Sequence, residues 1–219
     1  GKITAIRQQL AAIEVSDSPL FTTIDTPQLN CELNTFLRTS VEELSKIMRS
    51  TLSKSCSLDP LPSELVCNNL DVLLPVICNI VNLSLDSSQV PPSMKEAVLQ
   101  PLLKKPSLDR EIYNNFRPVS NLKMISKVTE KVAATRLIHY LEVKNLWELY
   151  QSAYKVNHSC ETALLRVQND ILLALDSNKC VALLTLDLSA AFDTVDHEIL
   201  LKRMSSKFGI KNKALAWFK

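Results

Sequence analysis

The sequence predicts a mixed α+β chain in which helices dominate and one short strand carries the chemistry. Three observations point there. Apolar residues recur at helical spacing through 126–141 and again through 160–174. One unbroken apolar run, Val181–Leu186 with a single Thr inside it, ends at Asp187, the pattern of a strand buried on both faces. Pro-bounded Ala97–Pro106 reads as a short extended segment running into a basic turn.

The elements follow in order. A short helical start to Ile13 gives way to a loop rich in Ser, Thr, Asp and Pro. Ser40 offers a cap acceptor with Glu42 and Glu43 behind it, so a helix opens there. Lys54–Pro62 is a turn, and Ser63 is expected to cap a helix on Leu65, Leu70, Leu73 and Leu74 that breaks near Pro75, with a second helical piece over 76–85. In the amphipathic stretch 126–141, Val128, Val132, Thr135, Leu137 and Ile138 should face inward, with Lys127, Glu130, Lys131 and Arg136 outward. Ser159 caps the next helix, whose inward stripe is Cys160, Leu164, Val167, Ile171 and Ala174. Asp196 should cap the closing helix and Gly209 stop it.

Composition excludes several classes. Only Gly1 and Gly209 are glycine, where average usage would give about 15. No P-loop and no G-x-G-x-x-G turn can be written, so any nucleotide must be held by metal, basic side chains or ordinary amides. The net charge of +2 hides an asymmetry: residues 1–100 carry 7 basic against 11 acidic side chains, and 101–219 carry 18 against 12. A polyanion would prefer the second half, although a solvated lysine surface gives the same count. The six cysteines lack metal-ligand spacing and read as reduced, mostly buried thiols. The longest apolar stretch, 70–85, is interrupted by Pro75, Asn79 and Asn82, which argues against a membrane span. Both ends of the chain look cut.

An Asp at the exit of an apolar strand demands compensation, because an unpaired charge beside a low-dielectric core is expensive. Helix capping is one answer and a divalent cation the other. Asp187, Asp193 and Asp196 fall within ten residues. Mg²⁺ takes one or two carboxylates and leaves its other positions to water and phosphate oxygens. Asp187 is the first candidate ligand and Asp193 a weaker one, while Asp196 reads as a cap.

These residues carry a resemblance. Leu186-Asp187-Leu-Ser-Ala-Ala-Phe192-Asp193-Thr-Val-Asp-His197 resembles the first catalytic box of reverse transcriptases from non-LTR (LINE-type) retrotransposons. Pro101-Leu-Leu-Lys-Lys-Pro, Asn115-Phe-Arg-Pro-Val-Ser-Asn-Leu122 and Ser126–Glu130 are similar to the family's first fingers motif, and Gln151–Leu164 to its second. Lys54–Ser63 resembles the segment upstream of the fingers. The likeness runs in order over roughly residues 54–219.

The resemblance implies a mostly helical fingers region leading into the first strand and helix of a right-hand polymerase palm. Residues 1–53 would be an N-terminal linker or helical extension, 54–179 the fingers and 180–219 the start of the palm. It implies that Asp187, assisted by the carbonyl of Leu188, ligates catalytic Mg²⁺. The amides of Ala190 and Ala191 would lie along an incoming deoxynucleoside triphosphate, and Phe192 would be the steric gate against a 2′-hydroxyl, its alternative being a core aromatic. Arg117 and Lys155 would neutralise triphosphate or template charge, or else are plain surface charges; the family's usual Arg at 155 is Lys here. RNA template and DNA primer are the implied partners, in an intracellular and mainly nuclear setting, without a membrane. The family's second carboxylate box, an aromatic-x-Asp-Asp hairpin, is not found, since the chain contains no Asp-Asp pair. The endonuclease, the rest of the palm and the thumb are likewise expected elsewhere in a longer polyprotein. The fragment would then be inactive alone. Two other readings stay open: a non-catalytic nucleic-acid-binding remnant, and a helical interaction module.

Overall fold

The computed structural model describes residues 31–51, 56–188 and 191–219. The described residues fall into two compact units, one of residues 31–144 with 201–219 and one of residues 145–200. The architecture is α+β, with helices around one two-stranded sheet among the described residues.

In the larger unit, α1 (Val41–Thr51) opens where Ser40 Oγ accepts the amide of Glu43 at 3.2 Å, with Glu42 and Glu43 in the first turn. Two helices follow, α2 (Ser63–Asn68) and α3 (Leu70–Ser87). Ser63 is the first helical residue rather than the cap, which is Pro62 without a side-chain bond. The expected break at Pro75 does not occur; the helix axis is interrupted at Asn69, and α3 runs through Pro75. Both Pro75 and Asp71, whose carbonyl loses its donor, face solvent, so water replaces the missing bond. Although α3 is long and apolar enough to cross a membrane, it buries seven residues and packs on α1 and on two helices introduced below.

A single turn, α4 (Pro92–Lys95), leads into β1 (Ala97–Leu103), which pairs antiparallel with β2 (Phe116–Leu122) from Ala97↔Leu122 to Leu103↔Phe116. Pro101 faces Pro118, which places both missing donors on one rung. α5 (Met124–Val143) buries Ser126, Val128, Thr129, Val132, Ala133 and Tyr140. Two expectations for its faces are corrected. Thr135 is exposed, and Arg136 turns inward: it bonds both Glu43 oxygens at 2.5 and 2.6 Å and the carbonyls of Leu37 and Arg38 at 3.1 and 3.2 Å. A guanidinium with four acceptors loses little on leaving water.

α7 (His197–Phe208) and α8 (Asn212–Phe218) close the chain. Gly209 between them has φ +65°, and a Cβ there would stand 2.3 Å from the Cys31 carbonyl. The Gly209 carbonyl accepts the Leu33 amide, and the Leu33 carbonyl accepts the Lys211 amide, both at 2.9 Å. Tyr140 Oη donates to the Phe208 carbonyl at 2.8 Å. Phe36 meets Trp217 and Phe218 edge-on, each at 5.8 Å between centroids.

The smaller unit, in its described part, holds α6 (Cys160–Asp176) and the segments around it. Ser159 and Thr162 form a full capping box, so the helix begins where its sequence says. None of its residues is buried, and the apolar stripe is not matched by a core. The expectation of mostly buried cysteines is corrected: Cys56 and Cys78 are buried, Cys31 is half-buried, and Cys67, Cys160 and Cys180 are exposed.

The Arg136–Glu43 pair sets two expectations. Glu43→Ala strands a guanidinium whose side chain is 15% exposed, and it should lower stability by about 2 kcal/mol, under the roughly 3–5 kcal/mol of a fully buried pair. Urea unfolding at unchanged m would register it. The Arg136 guanidinium holds the Glu43 carboxyl below its ordinary value of 4.5. The unfolded chain therefore takes up the proton first: the stabilisation is complete above that value and fades as pH falls through the lowered one. Glu43→Gln should flatten the acid limb of the stability curve below about pH 4.5, lowering stability at neutral and alkaline pH while the two curves converge in acid.

Candidate functional site

The basic hairpin is anchored at its base. Asp59 accepts the Cys56 amide through one oxygen at 3.1 Å and the Met124 amide, the first of α5, through the other at 2.7 Å. Cys56 Sγ contacts the Asn121 carbonyl of β2 at 3.2 Å. Lys127 Nζ donates to Asn121 Oδ1 at 2.6 Å, and Lys123 pairs with Glu96 at 3.0 Å. The segment 56–59 thus ties β2 and the N-terminus of α5 together. Sequence reasoning saw the segment as a turn and missed Asp59 as a cap, because the helix it caps starts 65 residues later.

Arg117 is the second residue of β2, opposite Leu102 near the hairpin's loop, exposed and without an ion-pair partner among the described residues. Lys104, Lys105 and Arg110 crowd the tip beyond it, against Asp109 and Glu111. Lys104 Nζ donates to the Asn114 carbonyl at 2.7 Å, which closes the loop. The outcome is a rigid hairpin with a cationic end.

In the smaller unit Lys155 is half-buried in the turn before α6, and its carbonyl accepts the His158 amide at 3.3 Å. Arg166 sits 4.7 Å over the ring of Tyr150. The expected strand over 181–187 is not formed. Residues 181–188 are irregular and exposed throughout, from 41% at Val181 to 82% at Leu186. The physical reason is the absence of a ladder: the sheet of β1 and β2 does not include them, and they pair with no other described residue. An apolar run becomes a strand only when a neighbour takes its backbone groups.

Asp187 and Leu188 are therefore at the surface rather than at a strand's end. Ala191 is exposed, and Phe192 is 78% exposed. Ala190 falls outside the described residues, as does Ser189. Asp196 Oδ1 accepts the amides of Glu198 and Ile199 at 3.0 and 3.2 Å, as a helix cap should. No three His, Cys, Asp or Glu side chains among the described residues converge as metal ligands. One carboxylate with a neighbouring carbonyl does not close a divalent-metal site.

Residues 103–219 match the family model of the reverse transcriptases (RNA-dependent DNA polymerases), and the chain belongs to that family. It is 28% identical over 174 residues to a probable RNA-directed DNA polymerase from transposon BS of Drosophila melanogaster, which covers 77% of this chain and 18% of that protein. Over 96 residues it is 33% identical to the corresponding protein of the X-element of the same fly, 44% of this chain and 11% of the other. The polymerase of its mobile element jockey is 25% identical over 170 residues, again 77% and 18%. The chain thus spans under a fifth of the length of these curated relatives. Enzymes of this family generally work with a divalent metal ion.

Backbone exchange tests the irregular segment. The amides of 181–188 have no acceptors among the described residues and should exchange within a few-fold of their intrinsic rates, while those of β1, β2 and α5 are protected. Strong protection at 182–186 in the 219-residue chain would mean that a strand exists after all.

Proposed function

We propose that this chain is the fingers and the first palm segment of an RNA-directed DNA polymerase that copies a retrotransposon transcript. The observation that carries the reading is the match over 103–219, which takes in the hairpin's loop and β2, the α6 segment and the Asp187 box. Arg117 and Lys155 would meet template or triphosphate charge. Ala190 and Ala191 would present amides to the triphosphate, and Phe192 would exclude a 2′-hydroxyl by filling the space beneath the sugar. We assign Mg²⁺ as the metal of the assembled enzyme, with Asp187 and the Leu188 carbonyl as two of its oxygens. RNA template, DNA primer and deoxynucleoside triphosphates are the partners, with chromosomal DNA as the destination and so the nucleus as the place of work. The division into residues 1–53, 54–179 and 180–219 belongs to this reading. A second reading, a nucleic-acid-binding element without catalysis, is favoured by the missing convergence of carboxylates around Asp187.

Two measurements separate these readings. Binding of single-stranded RNA by the 219-residue chain should weaken linearly on a log–log salt plot, and Arg117→Gln should reduce the slope by about 0.7, the share of one phosphate contact. A slope indifferent to Arg117 removes that residue from the template path. With Mg²⁺ or Mn²⁺ the chain alone should give no primer extension. Joined to a segment that carries the second carboxylate box, it should polymerise, and Asp187→Asn should lower that rate by more than about 10³-fold, beyond the loss of one preorganised contact. Phe192→Val should instead shift the ratio of ribo- to deoxynucleotide specificity constants. Lack of polymerisation by the joined chain would favour the binding element.

A further inference from the structure

A row of cations runs from the hairpin along one side of the larger unit and ends on α1, outside the residues 103–219 that match the family model. Arg117 and Asn121 are four residues apart in β2, so they share one face of the strand about 13 Å from each other. Asn121 Oδ1 accepts Lys127 Nζ at 2.6 Å, which brings the N-terminal turn of α5 to that face. Lys131 follows one turn on, about 6 Å further along the helix. Its Nζ donates to Ser50 Oγ at 2.7 Å and so reaches α1, where Arg49 is adjacent and Lys46 one turn back. Lys46, Arg49, Arg117 and Lys131 are exposed, and Lys127 is half-buried.

The carboxylates of these elements are engaged elsewhere. Glu43 is held by Arg136, Asp59 takes two amides, Glu96 pairs with Lys123, and Glu42 bonds back to Ser40. Glu130 stands between Lys127 and Lys131 in sequence but lines a cavity with Met94, Leu122 and Ala133. Leu122 is on the opposite face of β2 from Asn121, so that cavity lies on the other side of the hairpin. Lys46, Arg49, Arg117, Lys127 and Lys131 have no ion-pair partner among the described residues. Residues 52–55 add Lys54 to the sequence there and no acid. Like charges set in a row repel one another, and a linear polyanion is the counter-charge whose shape matches a row.

We propose that single-stranded RNA lies along this row, its phosphates running from Arg117 over Lys127 and Lys131 to Arg49 and Lys46 on α1. The inference rests on the reading that the hairpin meets RNA, and it adds a second stretch of contact that the reading does not contain. RNA is favoured over an acidic protein because the row begins at Arg117, on the strand already assigned to the template. Ammonium groups meet phosphate as point charges, so this stretch holds the strand without reading its bases.

The test is binding of a mixed-sequence single-stranded RNA, long enough to span the row, by the 219-residue chain over a salt series. Lys46→Gln with Arg49→Gln should lower the log–log slope by about 1.4, the share of two phosphate contacts, and Lys131→Gln added to them should bring the loss to about 2. Arg117→Gln should take a further 0.7 or so in either background, since one strand touches both stretches. Lys131→Arg keeps the charge and should keep the slope, whereas Lys131→Glu should lower it beyond Lys131→Gln. These side chains are at the surface, so helical circular dichroism and the thermal midpoint should stay those of the parent. RNAs of different sequence should lose affinity equally. A slope that falls with Arg117→Gln but ignores Lys46, Arg49 and Lys131 overturns the row and leaves the hairpin reading standing. A slope that falls with those three and ignores Arg117 overturns the hairpin reading and the path that starts from it. Binding that does not depend on salt removes both.

Discussion

The Arg136 fork is the contact on which the larger unit depends. Residues 36–40 run between α3 and α5 as irregular chain, where backbone polar groups must be satisfied by side chains. Arg136 takes the carbonyls of Leu37 and Arg38, and Asn82 takes both polar groups of Thr39, donating at 3.0 Å and accepting at 2.8 Å. The amide side chain of Asn82 acts there as a peptide group, replacing one rung of a ladder. Because Glu43 lies one turn inside α1 and is held by the same guanidinium, the strap and the helix after it are fixed together. Thr39 Oγ1 donates to Glu43 Oε2 at 3.0 Å and closes the network. Such a network favours one arrangement because each member is satisfied only when all are in place.

With α1 and the strap fixed, α5 becomes the spine of the unit. At its N-terminus Asp59 and Lys127 hold the hairpin, and at its other end Tyr140 holds the turn at Gly209. Burial, with the Cys31 thiol beside it, pushes the Tyr140 phenol well above its usual range, so it stays a neutral donor to the Phe208 carbonyl. The hairpin therefore projects from a base tied at several points, while its tip carries cations and few apolar contacts. On the proposed reading, that division would let the surface approach a polyanion without being reshaped by it.

How much of this was legible in the sequence follows from how far each signal reaches. Ser40, Ser159 and Asp196 act on amides within three residues of themselves, Gly209 acts through its own positive φ, and each is where the sequence placed it. The hairpin was legible from its prolines and turn residues. Pro75 misled because a proline breaks a helix only when the carbonyl it deprives has no other partner, and whether water reaches that carbonyl is a tertiary fact. Arg136 misled for the same reason: its four acceptors lie more than 90 residues away. Asp59 was invisible as a cap on that account too.

Asp187 is the sharpest case. The apolar run before it is a correct statement about the segment's preference and an incomplete one about its state. A helix satisfies its own peptide groups, so α6 forms on its capping box although nothing covers its leucines. A strand has no internal satisfaction, and the more apolar it is, the more completely its order belongs to whatever lies beside it. The position of the Asp187 carboxylate is thus a property of a ladder rather than of the residues around it. On the proposed reading a metal-holding carboxylate has to be aligned to within about half an ångström, and for Asp187 that alignment would come from the neighbours of its segment rather than from the segment itself.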